Sequence, residues 1–365
     1  MIGEARMVPV AGDPRPVFYN PELLPQYIAG EVRDEFTIVD AHLLDELRAF
    51  YEVFGWTHMG DRSGALPFFL RMTNDSPMPR DATSKTLAEI MMERATELVA
   101  MGRPLKVFWS GGVDSTAMIV SLLRAGARPD QVEIYLTTDG IAEYQWFFSK
   151  VIYGGRLPFR LIRPTESQAP TIGLREYPDP RGRRRVDPRP TPGPGDVWVT
   201  GELFNCLFGP HNAKIDIARE TDEQADYRLR VPGRVLDFIA PLIDGCPRPL
   251  AGFPDLAWYQ MFTCHWVKHK HRFVMNLPRK PDGYIRFCDT PDFQRWALTN
   301  AEPKMKDERG RPCYKHPLKR FIFEFTGDEA YFAKGKVGSM PIQPGHVPAA
   351  NPMFYRYLMD DGEIR

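Results

Sequence analysis

Cysteine is scarce in this chain of 365 residues. There are five, Cys206, Cys246, Cys264, Cys288 and Cys313, an odd number with no C-x-x-C pair. Thiols spaced this widely read as reduced cysteines of a cytoplasmic protein, and they argue against a cysteine-only zinc or iron–sulfur site. An excess of either charge is also missing, since 47 Lys and Arg balance 47 Asp and Glu. No chain-wide field therefore draws the protein to nucleic acid or to a membrane, although a local patch is still allowed. Nothing approaches the roughly 18 apolar residues of a membrane span. The opening MIGEARMVPVAGDPRP carries no apolar signal-peptide core. No internal repeat is visible.

What the chain does have is material for a core. Hydrophobic residues make up 43% of it and aromatics 12%, the balance of a folded globular protein with one large domain or two ordinary ones. Residues 1–82 form a mixed region, in which AHLLDELRAFYEVFGW (41–56) has helical spacing. Within 81–102, Leu87, Ile90, Met91, Ala95 and Leu98 share one helical face, and Gly102 is a natural stop. Strand and helix then alternate: PLKVFW (104–109), a helix over 115–126, VEIYLTT (132–138), a helix over 143–154, FRLIR (159–163) and DVWVT (196–200). This alternation predicts an α/β fold built on a doubly wound parallel sheet with helices on both faces. From about 206 onward the pattern turns mostly helical. The expected layout is a small N-terminal α+β region (1–82), an α/β domain with a helical C-terminal part (83–340) and a tail (341–365). One stretch, YPDPRGRRRVDPRPTPGPG (177–195), holds almost nothing apolar. It is predicted to be a mobile basic loop, with a lid or a guide for anionic substrates as its functional reading.

The segment VFWSGGVDSTAMIV (107–120) interrupts a strand-like run with two glycines, a carboxylate and hydroxyls. A strand, a glycine-rich turn and a helix together aim backbone N–H groups and a helix N-terminus at an anion. Gly111 and Gly112 let the backbone approach phosphate, while Ser110, Ser115 and Thr116 add hydroxyl donors. Asp114 would repel phosphate unless a cation lies between them, so the loop implies magnesium. The alternative is that Asp114 only caps the following helix. The spacing is neither that of a Walker loop, whose lysine is missing, nor that of a G-x-G-x-x-G dinucleotide turn.

SGGVDS (110–115), placed between strand and helix, resembles the pyrophosphate-binding loop of the ATP pyrophosphatases, the PP-loop superfamily. VTGELFNCLFGP (199–210) is similar to the second motif of asparagine synthetases and β-lactam synthetases, with Thr200, Gly201, Phe208 and Gly209 in place. GYIRFCDTPDFQRWAL (283–298), YKHPLKRFIFE (314–324) and YFAKGKVGSM (331–340) resemble later segments of that branch, in its order. The resemblance covers about 85 to 340 and implies an adenine nucleotide alpha hydrolase-like sheet. It further implies a ligase that uses ATP and Mg2+ to adenylate a carboxylate, releases pyrophosphate, and passes the acyl group to an amine or ammonia. Residues Ser110, Gly111, Gly112, Val113, Asp114, Ser115 and Thr116 would then hold the nucleotide, with Thr138 and Gly201 beside them. Lys336 would be the catalytic lysine, Lys315 a second, and Lys319 a supporting candidate. The expected partners are small-molecule carboxylates and amines. Nucleic acid is the less favoured partner, and no membrane is expected.

Two departures stand out. The magnesium-binding acid of the second motif falls on Asn205, which brings no charge; Glu202, three residues earlier, is the candidate to compensate. The glutamine-using synthetases carry a catalytic cysteine at their start, whereas this chain opens Met1-Ile2-Gly3 and has no cysteine before Cys206. Residues 1–82 are therefore not expected to be a glutaminase. Two other readings are a nucleobase- or RNA-modifying pyrophosphatase that uses the basic loop, and a nucleotide-binding protein that has lost turnover. The cluster Cys264, His265, His269 and His271 has two histidines at helical spacing, yet no glutamate follows His265, and it reads better as a polar helix face.

Overall fold

Five short strands form one sheet in which every neighbouring pair is parallel: β1 (Leu105–Trp109), β2 (Val132–Leu136), β3 (Phe159–Leu161), β4 (Val197–Thr200) and β5 (Tyr284–Arg286). Their order is β3-β2-β1-β4-β5. The computed structural model describes residues 16–19, 53–54, 60–66, 70–71, 78–161, 195–209, 226–229, 231–266, 283–299, 304, 306–310, 313–334, 355–360 and 363–364. Helices lie on both sides of the sheet, the α/β architecture that the alternating pattern predicts. The strand order reverses between β1 and β4. In an open parallel sheet such a reversal leaves a crevice at the carboxyl ends of the two strands, where ligands are received.

Local chemistry sets the ends of the elements. Helix α1 (Leu87–Ala100) opens with a capping box, in which Thr86 Oγ1 accepts from the Glu89 amide and the Glu89 carboxylate accepts from the Thr86 amide. Its buried residues Leu87, Ile90, Met91, Ala95 and Leu98 are those the helical spacing selects. Helix α2 (Val113–Arg124) begins two residues before the expected start, with extended Gly112 as its N-cap. β2 stops at Leu136 because the Thr137 hydroxyl caps α3 (Thr138–Glu143) by accepting from the Gly140 amide. The single helix expected over 143–154 is broken at Tyr144, and the chain resumes as Gln145–Phe147 and a π-helical turn Phe148–Tyr153. Helices α1 and α2 pack on each other and on α4 (His316–Thr326).

Strand side chains alternate between faces, so the register divides the sheet into two surfaces. One carries Leu105, Val107, Trp109, Ile134, Leu136, Val197 and Val199, all buried. The other carries Phe108, Tyr135 and Trp198, with ring centroids 5.0 to 5.7 Å apart. Two residues towards the amino ends, this face holds an ionic group in which Glu133 accepts from Lys106 Nζ, Arg160 Nε and Tyr135 OH. β5 lies in a region that reads as helical. It is only three residues long, and it joins the sheet through the Trp198 amide on the Gly283 carbonyl and the Phe287 amide on the Thr200 carbonyl, both at 2.8 Å.

Contacts group the chain into two units. Residues 81–204 and 272–350 form the unit that holds the sheet, and 1–80, 205–271 and 351–365 form the other. In the latter, Pro16–Tyr19 pairs antiparallel with Tyr355–Asp360, joining the two ends of the chain. Its helices Gly233–Asp244 and Phe253–Gln260 give Val235, Ile239, Leu256 and Ala257 to a buried cluster that includes Phe54. Buried Asp61 accepts from Ser63, Ala65 and Leu66 and closes a tight turn there. No helix among the described residues is long and apolar enough to cross a membrane. Of the helix expected over 41–56 only Val53 and Phe54 are described, both helical. All of the basic segment 177–195 except Gly195 lies outside the described residues, as do 341–354.

The ionic group makes stability depend on acid. Burial raises the Glu133 pKa, but the hydrogen bonds from Lys106 and Arg160 outweigh it and hold the carboxyl below its ordinary 4.5. A lowered folded-state pKa contributes stability that is present above the ordinary value and is lost as pH falls through the lowered one. Glu133→Gln should therefore flatten the loss of stability below pH 4.5 when denaturant unfolding is followed as a function of pH. An unchanged slope would show that the group is decoupled from folding.

Candidate functional site

β1 ends at Trp109 and α2 starts at Val113, so residues 110–112 turn the chain from strand to helix at the point of strand reversal. Trp109 Nε1 donates to Thr116 Oγ1 at 3.0 Å and ties the strand end to the first turn of the helix. Ser115 Oγ accepts from the Ser110 amide at 3.1 Å and donates to the Gly112 carbonyl at 3.2 Å. The Ser110 and Ser115 hydroxyls lie 3.2 Å apart. No side chain caps α2, so the positive end of its dipole faces the turn.

Gly111 has to be glycine. Its φ is +72°, and a Cβ there would collide with the Gly140 carbonyl oxygen and the Glu143 Cβ. Gly112 has an ordinary φ of −74°, and a Cβ would meet only Ser110 Oγ, at 3.4 Å. Thr138 begins α3 at the carboxyl end of β2, and Gly140 two residues on lies against the Ser110 backbone. A Cβ on Gly201, just after β4, would sit 3.4 Å from Asp114. Residues 110–116, Thr138 and Gly201 are thus gathered at the carboxyl ends of β1, β2 and β4.

Asp114 does not cap α2, because Gly112 holds that position. Both of its carboxylate oxygens accept from Lys315 Nζ, each at 2.6 Å. The Lys315 side chain is 4% exposed, against 28% for Asp114. Lys315 is the N-cap of α4 and has a left-handed backbone, φ 57° and ψ 39°. Lys319 is buried as well and donates to the carbonyls of Phe332 at 3.2 Å and Lys334 at 2.6 Å, closing the end of α5 (Glu329–Ala333).

The sequence did not single out Tyr331 on α5. Its hydroxyl donates to the Gly111 carbonyl at 3.1 Å, and its ring stacks on Tyr144 at 3.5 Å with 3° between the planes. Burial pushes its pKa well up, so it remains a donor. Lys334 Nζ reaches the Glu143 carbonyl at 2.7 Å. Tyr331 opens the segment YFAKGKVGSM, whose resemblance points to Lys336, and its own role shows only in a contact spanning 220 positions.

In the turn after β4, Tyr284 OH donates to Glu202 at 2.8 Å and lies 3.0 Å from Thr200 Oγ1. Burial, and after it the Glu202 charge, push the Tyr284 phenol well above its ordinary range. Asn205 is exposed, on the short helix Phe204–Phe208, and falls in the other unit. Cys264 and His265 are buried in a π-helical turn, Met261–His265, so they do not form the polar face that the sequence suggests. Lys336, His269 and His271 lie outside the described residues.

Magnesium requires oxygen ligands at about 2.0–2.1 Å in near-octahedral array. Asp114 gives both oxygens to an ammonium, Glu202 accepts from a phenol, and Asn205 is neutral. Among the described residues no group of three or more His, Cys, Asp or Glu is placed to hold a metal ion.

Comparison of the chain with family models, with curated proteins and with solved structures finds no match. The functional reading rests on the residues themselves.

The two loop glycines should respond differently to substitution. Gly111→Ala forces a left-handed residue against a backbone carbonyl and should cost about 1–3 kcal/mol in chemical denaturation. Gly112→Ala should fold with near-native stability. Equal losses in the two variants would show that the Gly111–Gly140 approach does not shape the loop.

Proposed function

We propose that the chain is an ATP-dependent ligase that forms AMP and pyrophosphate, adenylating a carboxylate and joining it to an amine or ammonia. The observation that supports this most is the position of SGGVDS. It turns from β1 into α2 where the strand order reverses, and Gly201 of the second motif packs against its aspartate. In this scheme a carboxylate oxygen attacks the α-phosphorus and the bond to the bridging oxygen breaks, so that pyrophosphate leaves into residues 110–116. The first-turn amides of α2 are the donors for that leaving group, and the Ser110 and Ser115 hydroxyls would join them by turning from their contacts within the loop. An amine then attacks the acyl carbon, and AMP departs. Magnesium enters the proposal with ATP, as the counter-ion of its phosphates. The PP-loop type of sheet and a cytoplasmic setting with small-molecule partners belong to the same reading.

A second reading has specific support. Asn205 in place of an acid, and Asp114 engaged by Lys315, suit a nucleotide-binding protein without turnover.

Exchange of labelled pyrophosphate into ATP, run across a panel of carboxylates, separates the two. The ligase reading expects carboxylate-dependent exchange, and amide formation once an amine is added. ATP binding with no exchange for any carboxylate favours the second reading. Lys336→Ala should lower turnover by on the order of 100-fold, the scale of losing one electrostatic donor to the transition state, with ATP affinity changed far less. Unchanged turnover in that variant would remove Lys336 from the mechanism.

A further inference from the structure

We propose that Lys315 is the resident cation of the glycine loop. Its ammonium neutralises Asp114 and lets residues 110–116 receive a pyrophosphate or nucleotide phosphate with no divalent ion bound to the protein. This inference rests on the nucleotide reading above. A carboxylate in the first turn of an anion-binding helix repels phosphate, so that turn works only if a positive charge stands at the carboxylate. Lys315 Nζ already does, at 2.6 Å from both oxygens. A magnesium ion on Asp114 would compete with that buried ammonium for the same two oxygens.

Local preference explains nothing about Lys315. A helix N-cap favours a side-chain acceptor such as Ser, Asp or Asn, and an ammonium offers none. A cation at the amino end of a helix opposes its dipole. A left-handed backbone suits glycine or asparagine, yet lysine holds φ 57° here. Three rules of helix starts are broken at one buried residue, and such conflicts concentrate at functional sites. What the arrangement achieves is the delivery of one positive charge to Asp114.

The arrangement also assigns Asp114 its part. It is a positioning residue that holds the lysine, not a ligand for a metal. The two assignments make opposite forecasts for Asp114→Asn. If Asp114 binds magnesium, its loss weakens phosphate binding. If it pairs with Lys315, the amide oxygen of the variant still accepts from the ammonium and the site gains net positive charge.

Calorimetric titration of the full-length protein with inorganic pyrophosphate, in chelator and again in magnesium chloride, tests this. The native protein should bind in chelator. Lys315→Met should weaken that binding by on the order of 10- to 100-fold, the scale of one charge-assisted hydrogen bond. Lys315→Arg should retain it, and Asp114→Asn should bind at least as tightly as the native protein. Magnesium chloride alone should raise the melting temperature of Lys315→Met, whose Asp114 is bared, and leave that of the native protein unchanged. Native binding only in magnesium, or equal losses for Asp114→Asn and Lys315→Met in chelator, would overturn the inference and leave the ligase reading standing. A Lys315→Met protein that melts lower yet binds pyrophosphate like the native one would reduce the pair to a structural ion pair. Native protein that binds in neither condition would remove both readings.

Discussion

A carboxylate in the first turn of an uncapped helix would meet a conflict of charge with any anion received there, and Asp114 stands at that position. Asp114 sits in the first turn of α2, at the positive end of the helix, where a negative side chain is stabilised. The same position sets it against any phosphate that the turn receives. The Lys315 ammonium answers the conflict from another helix, across 201 positions of sequence. Pairing a buried lysine offsets much of its desolvation, and removing either partner would leave a charge in poor solvent. The pair therefore links α4 to the glycine loop as well as setting the charge of the loop.

The loop is also held by shape. Gly111 and Gly140 bring two backbones so close that no side chain fits between them. Tyr331 closes the far side by donating to the Gly111 carbonyl, while its ring lies flat on Tyr144. Lys319 and Lys334 fasten the helix that carries Tyr331, each through a backbone carbonyl. A strand end, two helix starts and a short C-terminal helix thus converge on three residues of turn. Preorganisation of this kind suits a site that must present amides to an anion without rearranging.

Much of the sheet was legible in the sequence because its signals are local. Four strands stand out as short apolar runs bounded by Gly, Pro or polar residues, and the five buried positions of α1 follow from helical spacing alone. β5 was not legible, since three residues carry too little pattern to separate a strand from its helical surroundings. The break at Tyr144 was hidden for a related reason, because apolar residues run through the interruption. The glycine loop announced itself through residue types, whereas the partners of its members did not. That Lys315 meets Asp114, that Tyr284 meets Glu202 and that Tyr331 meets Gly111 are facts of tertiary distance with no spacing rule behind them. The grouping of 205–271 with both chain ends is of the same kind.

A crystal structure of the protein with ATP and magnesium would test the account most directly. The account predicts phosphates seated against the first-turn amides of α2, with Lys315 still paired to Asp114 and the magnesium ligated by phosphate oxygens and water. Magnesium ligated by Asp114 with Lys315 displaced, or a nucleotide bound away from the carboxyl ends of β1 and β4, would contradict it.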